Sequence, residues 1–330
     1  MSFQELTPFW SRLARTPPVD YKTHSTMKTA LTIGNFDGVH RGHRALVDAV
    51  TAWRRAHGGA TRYKTVVVSF EPHPVEVLRP GTIVPRLSDP IDKVERLQSL
   101  GIDEVHMISF TPEFARMTAR EFFDQVLVRE LDAAFVAWGH DFNFGHKREG
   151  TPELILKWCG EKKIEAKLIE AVECDGDVVS SSRIRRLIEE GQLVSAARLL
   201  GRDYAITDEV KHGDKRGRLL GFPTANLVPT VGVSGAPCLP ARGVYLSSAT
   251  VEGRTFPSLT NVGVKPTLSA AGQLTVETHL LDFEEDLYGK SLTVEFRDRL
   301  REEKRFAGLD ELRQQIQLDM QIARARIVTK

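Results

Sequence analysis

Two domains of different class are predicted, an α/β domain with a parallel sheet followed by an antiparallel β domain, sandwich or barrel, that closes with one helix. Three observations predict them. The chain has 330 residues, enough for about two domains at roughly 150 residues each. Before residue 183 short apolar runs alternate with helical patterns, as a parallel sheet requires. After residue 203 apolar runs follow one another with only Gly, Pro, Asp and Asn turns between them. The seam between 183 and 203 divides the chain into residues 1–186 and 187–330.

Each element has a local reason. Thr29 to Ile33 reads as a strand, after which Leu46, Ala49, Val50 and Trp53 recur at helical spacing until Gly58-Gly59. Thr65 to Phe70 is a β-branched run suited to a strand covered on both faces. Asp89-Pro90 has the form of an N-cap with proline at the first helical position. Glu104 to Phe110 is strand-like, Thr118 and Glu121 form a capping box, and Ala134 to Trp138 is another buried strand. Thr151-Pro152 opens the next helix, and two short helices follow Arg183, broken at Gly191 and ending at Leu200-Gly201. The later strands are Tyr204 to Val210, Gly243 to Val251, Thr255 to Val262, Leu274 to Leu281 and Ser291 to Phe296. The last helix, around Leu309 to Ala325, carries Leu312, Ile316 and Met320 on one face.

Composition narrows the function classes. With 45 basic and 44 acidic residues the net charge is +1, which argues against nucleic-acid or anionic-membrane binding over a broad surface. No apolar run approaches the about 20 residues of a membrane span. Cys159, Cys174 and Cys238 are widely spaced with no C-x-x-C pair, which fits a reducing cytoplasm and no disulfide framework. Monomer and transient oligomer both stay open.

The densest motif is G-N-F-D-G-V-H-R-G-H, Gly34 to His43, between the first strand and the first helix. Gly34 and Gly38 permit a tight turn beside phosphate, and the following helix directs free N–H groups and its positive end there. His40 and His43 add donors beside developing negative charge, the need of nucleotidyl transfer. An isolated H-x-x-H would read as ordinary core or surface histidines; on a strand–turn–helix behind G-x-F-D-G it reads as a site. Three more segments join it: F-E-P-H-P at Phe70 to Pro74, G-H-D-F-N-F-G at Gly139 to Gly145, and Ser181-Ser182-Arg183-Ile184-Arg185 at a helix start. Taken singly, F-E-P-H-P is equally a strand end, and Ser181-Ser182 equally a helix cap with Arg183 and Arg185 solvated.

The second cluster is H-G-D-K-R-G-R-L-L-G-F-P-T-A-N, His212 to Asn226. Gly213, Gly217 and Gly221 with Lys215 and Arg218 make a flexible cationic loop able to cover phosphates, although the Walker A spacing is absent. Thr224 and Asn226 offer oxygen ligands of the kind Mg²⁺ prefers. Glu277 lies in an alternating strand where a carboxylate can face a pocket while Val276 and Thr278 face away.

These motifs resemble the nucleotidyltransferase superfamily with its H-x-G-H signature, which shares ancestry with class I aminoacyl-tRNA synthetases. More narrowly, the chain resembles the bacterial bifunctional riboflavin kinase/FAD synthetase family from about Leu31 to about Ala325. S-S-R-I-R is similar to the family's S-S-T-R-I-R, with Ser182 for the commoner Thr, and P-T-A-N is similar to the riboflavin kinase signature. Gly243-Val244-Tyr245, Asn261-Val262-Gly263 with Pro266-Thr267, and Glu277 to Phe283 follow in the family's order. The first 27 or so residues extend beyond its usual lead.

The resemblance implies a Rossmann-like nucleotidyltransferase domain, then an antiparallel β-barrel kinase domain with a closing helix. It implies that the second half phosphorylates riboflavin to FMN with ATP and Mg²⁺, and that the first half adenylylates FMN to FAD. By resemblance, His40 and His43 are catalytic, and Gly34, Phe36, Asp37, Gly38, Asp141, Ser181, Ser182 and Arg183 contact ATP. Pro72 and His73 lie at the flavin of that site. In the kinase half Glu277 is the general base, and Gly213, Lys215, Gly217, Arg218, Gly221 and Pro223 contact ATP. Thr224 and Asn226 hold the metal, and Arg297 and Phe306 flank the flavin. Thr278 and His279 receive no catalytic role. Three other readings remain: an adenylyltransferase whose β half merely binds flavin, a regulator that has lost catalysis, and a nucleotidyltransferase for pantetheine phosphate or nicotinamide nucleotide, which would leave P-T-A-N unexplained.

Overall fold

The apolar runs of the first half form five parallel strands: β1 Lys28–Ile33, β2 Tyr63–Glu71, β3 Glu104–Ser109, β4 Ala133–Gly139 and β5 Glu165–Ile169. The computed structural model describes residues 27–213, 221–228, 235–265, 273–304 and 306–328. Sheet order is β3-β2-β1-β4-β5. The chain therefore reverses direction across the sheet between β1 and β4, and the loops beyond their carboxyl ends lie at the switch point where such sheets bind ligands. Ala30, Leu31, Val67 and Val68 are fully buried, as strands covered on both faces must be.

The helices of this half are α1 Arg41–Ala56, α2 Pro74–Leu78, α3 Pro90–Ser99, α4 Ala119–Phe122 and α5 Pro152–Lys162, the last four each begun by a side-chain N-cap. The Asp89 carboxylate accepts from Ile91 N and Asp92 N at 2.8 Å. Thr118 and Glu121 complete both halves of their capping box. Residues Phe123–Glu130 continue α4 as a π-helical stretch. Two features lack a sequence expectation. The end of F-E-P-H-P is the helix α2, with His73 as its N-cap and Pro74 at its first position. β5 is an edge strand whose Glu165, Lys167 and Leu168 are exposed, so it carries little of the apolar signal that reveals central strands.

The chain divides into two compact units. One contains the described residues up to Phe36 with His43–Pro80 and Asp89–Ala171; the other contains Asp37–Gly42, Gly81–Ser88 and the chain from Val172 onward. The second unit opens with a short hairpin, β6 Glu173–Cys174 and β7 Asp177–Val178, followed by α6 Ser181–Glu189 and α7 Leu193–Leu200. Its strands are β8 Tyr204–Lys211, β9 Ala225–Leu227, β10 Gly243–Val251, β11 Arg254–Lys265, β12 Gln273–Leu280 and β13 Ser291–Arg301. They close in the order β10-β11-β12-β9-β8-β13, so the antiparallel half is a barrel. Leu227, Val262, Val276, Val294 and Phe296 share its core. Val244, Leu246 and Leu259 pack instead with Ala323 and Met320 of the closing helix α8, Leu309–Val328. β9 has only three residues, too few for a periodic signal, and β13 runs past Phe296 to Arg301. The charged segment from Arg297 to Arg301 is thus strand.

Candidate active sites

In the first unit, three strand ends carry the first set of residues. Gly34 leaves β1 with its N–H donating to Val68 O at 3.1 Å. Phe36 follows with a left-handed φ of 51° and no exposure. Its ring lies 4.9 Å from that of His43, tilted by 41°. Phe36 is therefore a packing residue against a candidate catalytic histidine. Beyond β2, His73 Nδ1 accepts from Val75 N at 3.2 Å, and its Nε2 lies 3.4 Å from Asn35 Nδ2. Pro72 is half-buried beside it. Beyond β4, Asp141 is exposed.

In the second unit, the Asp37–Gly42 loop is held at many points. Asp37 is 2% exposed. Its Oδ1 accepts from Leu87 N at 3.0 Å and Ser88 N at 3.2 Å, and its Oδ2 from Arg185 Nη2 at 2.6 Å. Gly38 has φ 84°, and a Cβ there would lie 2.8 Å from Leu87 Cβ, so glycine is required on two counts. Gly38 N donates to Ser88 Oγ at 3.0 Å. Val39, a β-branched residue at φ 41°, stores strain of the kind found at functional loops. His40 is buried, and burial, reinforced by the Arg185 and Arg202 charges, pushes its pKa down from 6.5 to about 4 against the opposing pull of Asp37. It is a neutral imidazole at neutral pH and can donate one N–H without carrying charge.

The helix start that faces this loop is capped by Ser180, whose side chain accepts from Arg183 N at 3.3 Å. Capping thus does not account for the next two serines. Ser181 Oγ donates to Asp37 O at 3.0 Å, and Ser182 is exposed. Arg183 pairs with Asp177 of the preceding hairpin, and Arg185 faces inward rather than lying on a solvated face.

The barrel brings the kinase candidates together by strand register. Asn226 on β9 pairs with Glu277 on β12, which pairs with Asn261 on β11, which pairs with Val244 on β10. Directly opposed residues share a face, so an amide, a carboxylate and a second amide stand side by side. Thr224 lies two residues from Asn226, whose Nδ2 donates to Thr224 O at 3.5 Å. A Cβ at Gly213 would lie 2.5 Å from Asn226 Cγ, so any larger residue there would displace the Asn226 amide. Gly221 has φ 85°, and Pro223 is exposed. Lys215, Gly217, Arg218 and the Pro266-Thr267 segment lie outside the described residues.

Two residues without an expected role emerge from this geometry. Asn261 is Glu277's register partner. His279 Nδ1 donates to Pro223 O at 2.7 Å, tethering the residue before Thr224. Neither has a spacing that would single it out. Arg297 is not on this rung: it contacts Ser248 Oγ at 3.4 Å and Asp203 at 3.7 Å. The β13 residue paired with Val244 is Arg301. It binds buried Asp319 with three hydrogen bonds of 2.7–3.1 Å, and its guanidinium lies 5.9 Å from the Phe306 ring. Phe306 is thereby linked to the rung, whereas Arg297 lies four residues before Arg301 on the same strand.

Comparison with known proteins gives these two constellations a family. Residues 22–183 match a family model described as FAD synthetase, and residues 200–327 one described as riboflavin kinase. The chain is 39% identical over 296 residues to the bifunctional riboflavin kinase/FMN adenylyltransferase of Escherichia coli K12, covering 89% of this chain and 91% of that one. Its Bacillus subtilis counterpart is 33% identical over 299 residues, with 90% and 92% covered. A crystal structure described as a macrolide-efflux protein from Streptococcus pneumoniae superposes with TM-score 0.81 at 28% identity, over 92% of this chain and 96% of that one. Among the described residues no helix is long and apolar enough to cross a membrane. The chain belongs to the bifunctional riboflavin kinase/FMN adenylyltransferase family, with its FAD synthetase part N-terminal and its riboflavin kinase part C-terminal.

Proposed function

We propose that the two activities use separate residues, one set in residues 1–186 and one in 187–330. In the kinase half Glu277 takes the proton from the riboflavin 5′-hydroxyl as that oxygen attacks the γ-phosphate of ATP, and ADP leaves. The observation that carries this assignment is the rung of Asn226, Glu277 and Asn261 across three neighbouring strands. It sets a carboxylate beside two side-chain amides at a point where Gly213 passes close to Asn226. Thr224 and Asn226 fit a hard cation that takes few protein oxygens and keeps waters, and they would hold Mg²⁺. The ion they would hold would supply charge neutralisation at the phosphates. Gly213, Gly221, Pro223 and the cationic loop with Lys215, Gly217 and Arg218 cover the nucleotide, while Arg297 and Phe306 contact flavin.

In the adenylyltransferase half an FMN phosphate oxygen attacks the α-phosphate of ATP, and pyrophosphate leaves. His43 and neutral His40 donate hydrogen bonds to the phosphate oxygens as charge moves toward the leaving group. Gly34, Gly38, Ser181, Ser182 and Arg183 line the nucleotide from the loop and the start of α6, with Phe36 behind His43 and Asp141 at the end of β4. Pro72 and His73 bound the flavin side. Both reactions draw on small soluble substrates, which accords with a cytoplasmic protein that needs neither nucleic acid nor membrane. The test is direct: purified protein with riboflavin, ATP and Mg²⁺, followed by chromatography, forms FMN first and FAD later. Formation of FMN alone, or of neither, overturns the reading.

A further inference from the structure

Asp37 occupies the motif as a nucleotide-facing residue would, yet its surroundings are those of an anchor. Both carboxylate oxygens are committed, Oδ1 to the Leu87 and Ser88 amides and Oδ2 to Arg185. The residue is 2% exposed. A triphosphate approaching it would meet like charge at the end of a closed hydrogen-bond set, which is unfavourable unless a cation intervenes. Arg185 is equally committed, since its Nε donates to Pro85 O at 2.7 Å. The 85–88 segment is in turn fastened to the barrel's own unit: Arg86 N donates to Ala236 O at 2.7 Å, and Cys238 N to Arg86 O at 2.8 Å. Tyr204 at the start of β8 completes the support, its hydroxyl donating to Cys238 O at 2.6 Å.

We propose that Asp37 is a positioning residue of the adenylyltransferase reaction: it fixes the loop that carries His40 onto the 85–88 segment and Arg185, and it does not contact nucleotide. This rests on the reading of His40 as a catalytic donor. The physical reason is that His40 follows Asp37 by three residues through Gly38 and Val39, both at positive φ. A strained connection of this kind keeps its geometry only when its ends are held. Asp37 and Ser88 hold the near end, and Ser181 Oγ holds the Asp37 carbonyl.

The experiment is a double-variant cycle on the full chain, with Asp37→Asn, Arg185→Met and the pair, and His40→Ala measured in parallel. FMN to FAD turnover and the KM for ATP are read, with riboflavin kinase turnover and thermal midpoint as controls of folding. Each single variant is expected to lower adenylyltransferase kcat about thirtyfold or more with the ATP KM within about threefold, because each leaves a buried charge unpaired. The pair is expected to be no worse than the worse single variant, recovering about tenfold or more over the product of the two losses. A rise in ATP KM with unchanged kcat for Asp37→Asn, or multiplicative losses in the pair, overturns the proposal. Should the charge variants fail to fold, Ser88→Ala keeps the test open, since it removes only the partner of Gly38 N. It is expected to lower FAD synthesis about threefold to tenfold with kinase turnover unchanged, a loss of the size of one buried hydrogen bond. No loss in Ser88→Ala overturns the proposal. If His40→Ala retains full activity, the reading of the histidine fails instead, and the two failures are distinguishable.

Discussion

The two sites are held in different ways. The loop from Asp37 to Gly42 depends on side chains: a carboxylate on two amides and a guanidinium, a serine hydroxyl on a glycine N–H, and another on a carbonyl. The Asn226–Glu277–Asn261 rung depends on the backbone ladder of three barrel strands. A ladder survives the loss of any one side chain, whereas a loop pinned by buried charge does not. Substitutions at the rung should therefore remove chemistry and leave the fold, while substitutions at the loop should disturb geometry and stability together.

The largest effect expected is at the rung. Glu277→Ala should lower riboflavin phosphorylation about a thousandfold, within the usual range for loss of a general base. Supplied FMN should still become FAD at close to the normal rate, and the thermal midpoint should stay near that of the parent protein. A folding defect in this variant would break the contrast.

The loop should show its dependence on pH. The depressed pKa of His40 means that the folded state resists a proton that the unfolded chain accepts. The associated stability is fully present above pH 6.5 and is lost as pH falls from 6.5 toward 4. The two values correspond to about 3 kcal/mol. Urea unfolding at pH 7 and pH 4.5 checks this: His40→Gln should lose less stability between the two than the parent does. Equal losses would remove His40 from the account of the loop.

His43→Ala should lower FMN adenylylation about a hundredfold, the usual scale for one lost donor to developing charge, and leave riboflavin phosphorylation unchanged. The smallest effect separates the ladder from what crosses it. Gly213→Ala drives a methyl group into Asn226, and strain of about 1–2 kcal/mol there should lower kinase turnover about tenfold. An unchanged rate would show that the backbone at 213 can yield.

The fold was legible wherever the signal is local. Asp89-Pro90, Thr118 with Glu121, and the run from Thr65 to Phe70 each announce their element within a few residues. β9 has three residues and β5 lies at an edge with polar positions, so neither produces a period. The site motifs were legible as a set of residue types, but their partnerships were not. Asp37 meets Arg185 across 148 positions of sequence, and His279 meets Pro223 across 56. Spacing can place a carboxylate in a motif; only the folded chain shows whether it faces a ligand or a guanidinium. For the same reason the sequence singles out Arg297 and Phe306 but not Arg301, the β13 residue that register pairs with Val244.

The division of one chain into two independent chemistries is tested most directly by crossing two variants with two substrates. His43→Ala and Glu277→Ala are each given riboflavin or FMN, with ATP and Mg²⁺, alone and mixed. The account predicts that His43→Ala stops at FMN and that Glu277→Ala converts only supplied FMN. The mixture then makes FAD from riboflavin. Loss of both reactions in either variant, with the protein still folded, would contradict it.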